Sequence, residues 1–211
     1  MTRSSRPRKS TELSDSIRRR LNLYALATAA AGVAAMALAP AAEAKIVYTP
    51  AHLPLVGTII DFNHDGKGDI TFLSAVDATT SVGMRSVQAK SANSLGINEV
   101  VATAAQDHAV ALRAGERIGP GRHFGTWDVV YGDVYYRNPP RTVWFGQWGN
   151  GGKGLKDRYQ GIKFAINGKF HYGWARISVS VSGHQATSVL SGYAYETIPN
   201  KAIKAGETKG A

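Results

Sequence analysis

The chain has 211 residues, 25 Lys/Arg against 15 Asp/Glu, a net charge of +10 and no cysteine. A thiol nucleophile, a thiolate metal site and a disulfide framework are thereby excluded. Seven basic and three acidic residues fall within 1–44, so the rest holds 18 basic (25 less 7) against 12 acidic (15 less 3), a net of +6 with no basic run, which argues against a nucleic-acid partner.

Residues 1–20 are basic and end in Arg18-Arg19-Arg20; residues 21–39, "LNLYALATAAAGVAAMALA", are apolar and uncharged; Ala42-Glu43-Ala44 then forms a small-x-small site. This order is that of a secretory signal peptide cleaved after Ala44, so the mature protein is expected to be secreted or periplasmic, with no membrane segment left. A retained anchor is the rival, because the run approaches the ~20 residues of a membrane span. Its Ala/Gly richness makes it a weak span. The adjacent arginines raise the twin-arginine route, although the residues after them match it poorly.

The remaining Lys45–Ala211 is long enough for one domain with a real core. It is rich in Gly, Val, Thr, Ser and Tyr, with short apolar or alternating runs punctuated by Gly, Asn, Asp and Pro. That pattern predicts an all-β protein, an antiparallel sandwich of jelly-roll-like type over 45–198, followed by a loosely ordered polar tail over 199–211. Strands are expected near 46–48, 55–61, 69–75, 82–88, 98–102, 127–136, 142–147, 159–166, 169–181 and 188–196. The stretch 103–125 is irregular and has room for a short helix or turn before "AGERIGPG". "RNPP" and "GNGGKG" read as loops, the latter without P-loop spacing.

Between the second and third expected strands lies "DFNHDGKGDI", residues 61–70. Its spacing, D-x-N-x-D-G-x-x-D, is that of a calcium loop. A hard cation takes about six to eight oxygens. Asp61, Asn63 and Asp65 can converge if Gly66 permits a sharp turn, Lys67 can offer its carbonyl, and Asp69 can close the ring. His64 falls between these positions as a bystander. An EF-hand would continue into a helix with a Glu at its twelfth position, where this chain has Phe72 in the alternating "DITFL". The loop therefore resembles the strand-borne calcium loops of FG-GAP and thrombospondin-type repeats. The alternative is a turn whose Asx side chains bond their own backbone. Without a cation, close exposed carboxylate pairs repel by ~1 kcal/mol each.

The clearest element is a hairpin about Asn167-Gly168, the favoured pair for a two-residue type I′ turn. It fixes the register, with Ile166 opposite Lys169, Phe164 opposite His171 and Ile162 opposite Gly173. One face then carries Ile162, Phe164, Ile166, Ala175, Ile177, Val179 and Val181 and is core. The other carries Tyr159, Gly161, Lys163, Phe170, Tyr172, Trp174 and Arg176, with Gly161 leaving room for the Trp174 indole. Tyr159, Tyr172, Trp174 and Arg176 form a candidate ligand face, since rings flanked by cations can stack on sugars. The same rings would serve equally as a second packing layer. Tyr131, Tyr135, Tyr136, Trp144 and Trp148 add to the aromatic content of this half.

The segment "YQGIKFAINGKFHYGWARISVSVSGHQATSVLSGYAYETIPNKAI" resembles a group of uncharacterised exported bacterial proteins sharing YxGxxFxxxGxxHYGWxR and a following GYAYE strand, some with PEP-CTERM sorting tails. The resemblance implies a secreted β-sandwich and assigns no catalytic residue. This chain's last residues, "AGETKGA", depart from the tail pattern.

Catalytic signatures are weak. There is no G-x-S-x-G and no H-E-x-x-H. His171 is expected to be a packed histidine bonded to a carbonyl, and His52, His108, His123 and His184 show no metal spacing. Glu99, Glu116, Asp128, Asp133 and Glu196 are candidates for a glycosidase acid pair that the sequence does not match up. The reading is a calcium-stabilised, non-catalytic binding or cell-surface protein whose partner is a glycan or cell-surface polymer. The alternative is a jelly-roll carbohydrate-active hydrolase or a carbohydrate-binding module. The export reading predicts that protein recovered from the extracellular or periplasmic fraction begins at Lys45 by mass spectrometry; intact chain in the membrane would overturn it.

Overall fold

The computed structural model describes residues 45–93, 95–104 and 108–210. The expected signal peptide, residues 1–44, lies outside them. The described chain is nearly all β, 60% strand and 4% helix, in antiparallel sheets that pack on one another without closing into a barrel.

The strands in chain order are β1 (Ile46–Pro54), β2 (Ile59–Ile60), β3 (Ile70–Ala78), β4 (Val82–Ser91), β5 (Glu99–Val101), β6 (Arg117–Ile118), β7 (Phe124–Gly125), β8 (Trp127–Arg137), β9 (Pro140–Phe145), β10 (Leu155–Ile166), β11 (Lys169–Ser182), β12 (Gln185–Glu196) and β13 (Ile203–Lys204). One sheet has the order β1-β12-β11-β10-β5-β7, the second β2-β3-β4-β8-β9, and β13 pairs β6 in a small ribbon. Tight turns join β3 to β4, β8 to β9, β10 to β11 and β11 to β12, and in these hairpins the local alternation of each run sets its face and the turn sets its register. At the Asn167-Gly168 turn both residues have positive φ, 49° and 75°, as a type I′ turn demands. The resulting pairs Ile166–Lys169, Phe164–His171, Ile162–Gly173 and Gly161–Trp174 are those expected.

The main core lies between the two large sheets. Ile162, Phe164, Ala175, Ile177, Val179 and Leu190 from the six-stranded sheet meet Ile60, Ile70, Phe72, Val87, Ala89 and Val130 from the five-stranded sheet, with Phe62 and Trp148 filling the ends. Phe62 stacks on Phe164 at 4.8 Å and meets Tyr193 edge-on at 5.3 Å. A register shift at Val87/Gln88 explains why the consecutive Val130 and Tyr131 are both buried: the extra residue on β8 turns both inward.

A second core covers the outer face of the six-stranded sheet. Tyr172 and Trp174 are only 5% and 2% exposed, packed with Val101, Leu112, Ile118 and Ile203. The cover is supplied by the irregular stretch after β5 and by the C-terminal residues. Two expectations are thereby corrected. The candidate ligand face of Tyr159, Tyr172, Trp174 and Arg176 is a packing layer: Tyr159 meets Trp174 edge-on at 5.2 Å, Trp174 Nε1 donates to the Glu207 carbonyl at 3.0 Å, and Arg176 Nε donates to Ser191 Oγ at 2.9 Å, holding the bulge where Arg176/Ile177 shift register on β12. The tail is not loose either. Ile203 and Ala205 are buried against Tyr172 and Trp174, and β13 pairs with β6, because these apolar residues of the tail cover the aromatic face. The described residues of 103–125 form extended segments joined by turns, one of them at 114–115, and no helix. Gly161 makes room for aliphatic chains rather than for the indole: a Cβ there would lie 2.5 Å from Val101 and 3.1 Å from both Ile118 and Leu112.

Trp174→Ala should therefore cost ~3–5 kcal/mol of unfolding free energy in denaturant titration, as large-to-small core changes do. Gly161→Ala should cost ~1–3 kcal/mol through overpacking of the same layer. A near-neutral Trp174→Ala would mean that the layer is not a core.

Candidate functional site: the acidic loop and the mouth of the sandwich

The acidic loop runs between β2 and β3 at one edge of the five-stranded sheet. Gly66 has φ +83°, a conformation that L side chains rarely adopt, and open space where a Cβ would stand. This turn lets Asp61 accept from the backbone N–H groups of Asp65 at 3.2 Å and Gly66 at 2.8 Å. Asp65 accepts from the Lys67 N–H at 2.9 Å and from Asn63 Nδ2 at 3.1 Å. Those two bonds, Asn63 first, hold its carboxyl below the usual carboxylate range. Asn63 Oδ1 is buried and has no partner. Each carboxylate offers about four lone-pair sites, so these backbone bonds leave acceptor capacity on Asp61 and Asp65. His64 is more than a bystander. Its Nε2 lies 2.9 Å from Thr49 Oγ1, and its ring sits 6.1 Å from that of Tyr193, so it ties the loop to β1 and β12.

Asp69 behaves differently. It is 7% exposed, and its carboxylate accepts from the Phe62 N–H at 2.8 Å and from Asn98 Nδ2 at 3.2 Å. Asn98 also donates to the Asp69 carbonyl at 3.1 Å, and its own Oδ1 accepts from the Ala165 N–H on β10 at 3.0 Å. The expected ring closer is thus a buried anchor joining both sheets. Among the described residues no three His, Cys, Asp or Glu side chains are grouped closely enough to hold a metal. A cation here would draw on the mixed oxygens of Asp61, Asn63 and Asp65 and the Lys67 carbonyl.

The remaining sequence candidates are dispersed. His171 is packed as expected, with Nδ1 2.9 Å from the Glu196 carbonyl. Glu99 pairs with Lys163, Glu116 with Arg122 at 3.3 Å, Asp133 with Arg85 at 2.9 Å and Glu196 with Lys201 at 3.3 Å. Asp128 is buried beside Gly125, which has no side chain to displace it. Of the other aromatics, Tyr131 and Trp148 are core, and Tyr136 lies under the Arg141 guanidinium at 4.1 Å.

A feature not anticipated from the sequence lies at the far end of the five-stranded sheet. The inward face that carries Phe72 continues through Ser74, Val76 and Ala78, yet these three are exposed, Val76 to 72%. The hairpins β3–β4 and β8–β9 extend past the other sheet, which meets them around its β11–β12 turn, at His184 and Ala186. Arg85 bridges the gap, donating through Nη2 to Asp133 and to the His184 carbonyl. Tyr135, opposite Gly83, lies 5.2 Å from the His184 ring. A cleft of about 300 Å³ results, lined by Val76, Asp77, Met84, Arg85, Tyr135 and His184. The sequence signal was a polar substitution of a core face, Asp133 and Arg85 at inward positions, which becomes legible only once the register is known.

Burial pushes the Asp69 carboxyl up to about 6 from 3.8, against the bonds from Phe62 and Asn98 and with help from Asp61 and Asp65. Between those pH values the folded state binds more protons than the unfolded chain, so stability falls as pH rises through the window. The loss is ~3 kcal/mol, because the folded carboxyl holds its proton roughly a hundredfold more tightly. In chelator, chemical denaturation should show this loss between about pH 4 and 6, and Asp69→Asn should flatten it. An unchanged slope in Asp69→Asn would assign the loss to another group. Comparison of the chain with protein-family models, with curated proteins and with solved structures found no match.

Proposed function

We propose that the mature protein is an exported, calcium-stabilised β-sandwich that binds rather than catalyses, its partner a glycan or cell-surface polymer. The observation that carries the calcium part is the orphaned Asn63 Oδ1, buried beside the Asp65 carboxylate in a loop whose turn is set by Gly66. A buried oxygen without a donor costs roughly 1–3 kcal/mol, and a hard cation is the partner that amide, carboxylate and carbonyl oxygens have in common. Asp61, Asn63, Asp65 and the Lys67 carbonyl would hold it, with Asp69 fixing the loop behind them. Bound there, the ion would offset the carboxylate repulsion and brace the joint between β2, β3 and the core in a chain that has no disulfide.

The non-catalytic part is supported by the commitments of the acids. Glu99, Glu116, Asp133 and Glu196 each lie against a cation of their own, so these four do not form a facing acid pair. The hydrolase alternative gains no support from that arrangement.

If the ion binds only the native state, calcium must raise the melting temperature by mass action, by ~2.7 kcal/mol of stability at one hundred times the dissociation constant. Asp65 is exposed, so Asp65→Ala should fold and should lose the calcium-dependent shift. Identical melting curves for the parent protein in calcium and in chelator would leave the loop as a self-bonded Asx turn.

A further inference from the structure

The geometry points to the open mouth of the sandwich as a saccharide-binding cleft, taking one ring of a neutral sugar chain. This inference rests on the glycan-binding reading above and gives it a location.

The mouth is an inward sheet face left without a partner sheet. An uncovered apolar strip on a hairpin end invites strand pairing and aggregation, and inward-pointing charge is one way to blunt it. Here the charge is not simply spread on the rim. Arg85 is held in place by two acceptors on Nη2, the Asp133 carboxylate, which is 4% exposed, and the His184 carbonyl. Among the described residues its Nε and Nη1 have no partner, and its side chain stays 44% exposed. A fixed guanidinium with unused donors is a preorganised hydrogen-bonding group. Beside it, on the same sheet face, stand a platform, the Tyr135 ring braced by His184, and an apolar floor of Val76 and Ala78, whereas Asp77 and Met84 pair on the opposite face and reach the cleft only from its edge.

Three ligand chemistries meet such a lining differently. A purely apolar ligand would cover the free donors of Arg85 without satisfying them, at the cost of an unpaired polar group. An anion would meet an Arg85 whose charge Asp133 already offsets. A sugar ring suits all the parts. Each hydroxyl both donates and accepts, so the free donors of Arg85 can engage one, while the C–H face lies on Tyr135 and the aliphatic floor. The volume of about 300 Å³ is at the lower limit for ligand pockets, which fits a single ring rather than a long buried chain.

The test uses the exported protein in calcium-containing buffer. It is titrated by calorimetry with oligosaccharides of cellulose, xylan, mannan and chitin, and with alginate oligosaccharides as an acidic arm. Three variants are compared. Tyr135→Ala removes the platform. Gly83→Leu fills the cleft, and a Cβ at Gly83 meets no atom within 4 Å, so the added side chain has room. Trp127→Ala removes an exposed indole elsewhere, held by Gln88 at 2.7 Å. The expected result is binding of at least one neutral oligosaccharide, weakened about tenfold or more in Tyr135→Ala and Gly83→Leu and unchanged in Trp127→Ala, with all three folded by circular dichroism. Neutral-sugar binding that survives both cleft variants overturns the location and leaves the glycan reading standing. Binding of alginate alone overturns the neutral-sugar assignment. No binding in any arm overturns both the location and the glycan reading.

Discussion

A buried polar node at one edge joins the two sheets. Asp69 receives the Phe62 N–H and the Asn98 amide, and Asn98 in turn accepts from Ala165 on β10. A carboxylate and an amide in such a place are costly unless every lone pair and N–H finds a partner. Here Phe62 follows β2, Asp69 precedes β3, Asn98 precedes β5 and Ala165 lies on β10, so the acidic loop, the edge of the five-stranded sheet and the six-stranded sheet are tied together. Hydrophobic burial supplies the larger share of the stability, but it is non-directional. The node, together with the buried Tyr131–Ser188 bond between β8 and β12, supplies direction to how one sheet sits on the other.

That constraint gives the loop its position. Because Asp69 is held from behind, the turn through Gly66 gathers Asp61, Asn63 and Asp65 on an anchored base. The division of labour between one buried and two more accessible aspartates follows from their surroundings. Asp69 is desolvated and its carboxyl rises, whereas Asp65 is surrounded by donors and its carboxyl falls. His64, bonded to Thr49, closes the side of the loop that faces β12.

The sheets are unequal in extent, and the protein treats the two consequences differently. On the outer face of the six-stranded sheet, rings that would otherwise be wet are covered by β6, β13 and the extended segments around them. At the far end of the five-stranded sheet the inward face is left open, and there the side chains change from Phe72 and Val87 to Val76, Arg85 and Asp133. The first exposure is closed by chain, the second is furnished with polar groups.

The all-β class, most strand positions and the register of the β10–β11 hairpin were determined by the sequence alone. Alternation has a period of two, and Asn167-Gly168 admits one tight turn, so local chemistry suffices. The acidic loop was legible for the same reason: its spacing and Gly66 are local. Burial of Tyr172 and Trp174 was decided only in three dimensions, because their cover comes from Leu112, Ile118 and Ile203, which carry no periodic pattern. The role of Asp69 as an anchor depended on Asn98, 29 residues away in the chain. The mouth depended on how far each sheet extends past the other. Those three features are long-range contacts, and a pattern read along the chain holds the faces of its strands but not what packs against them.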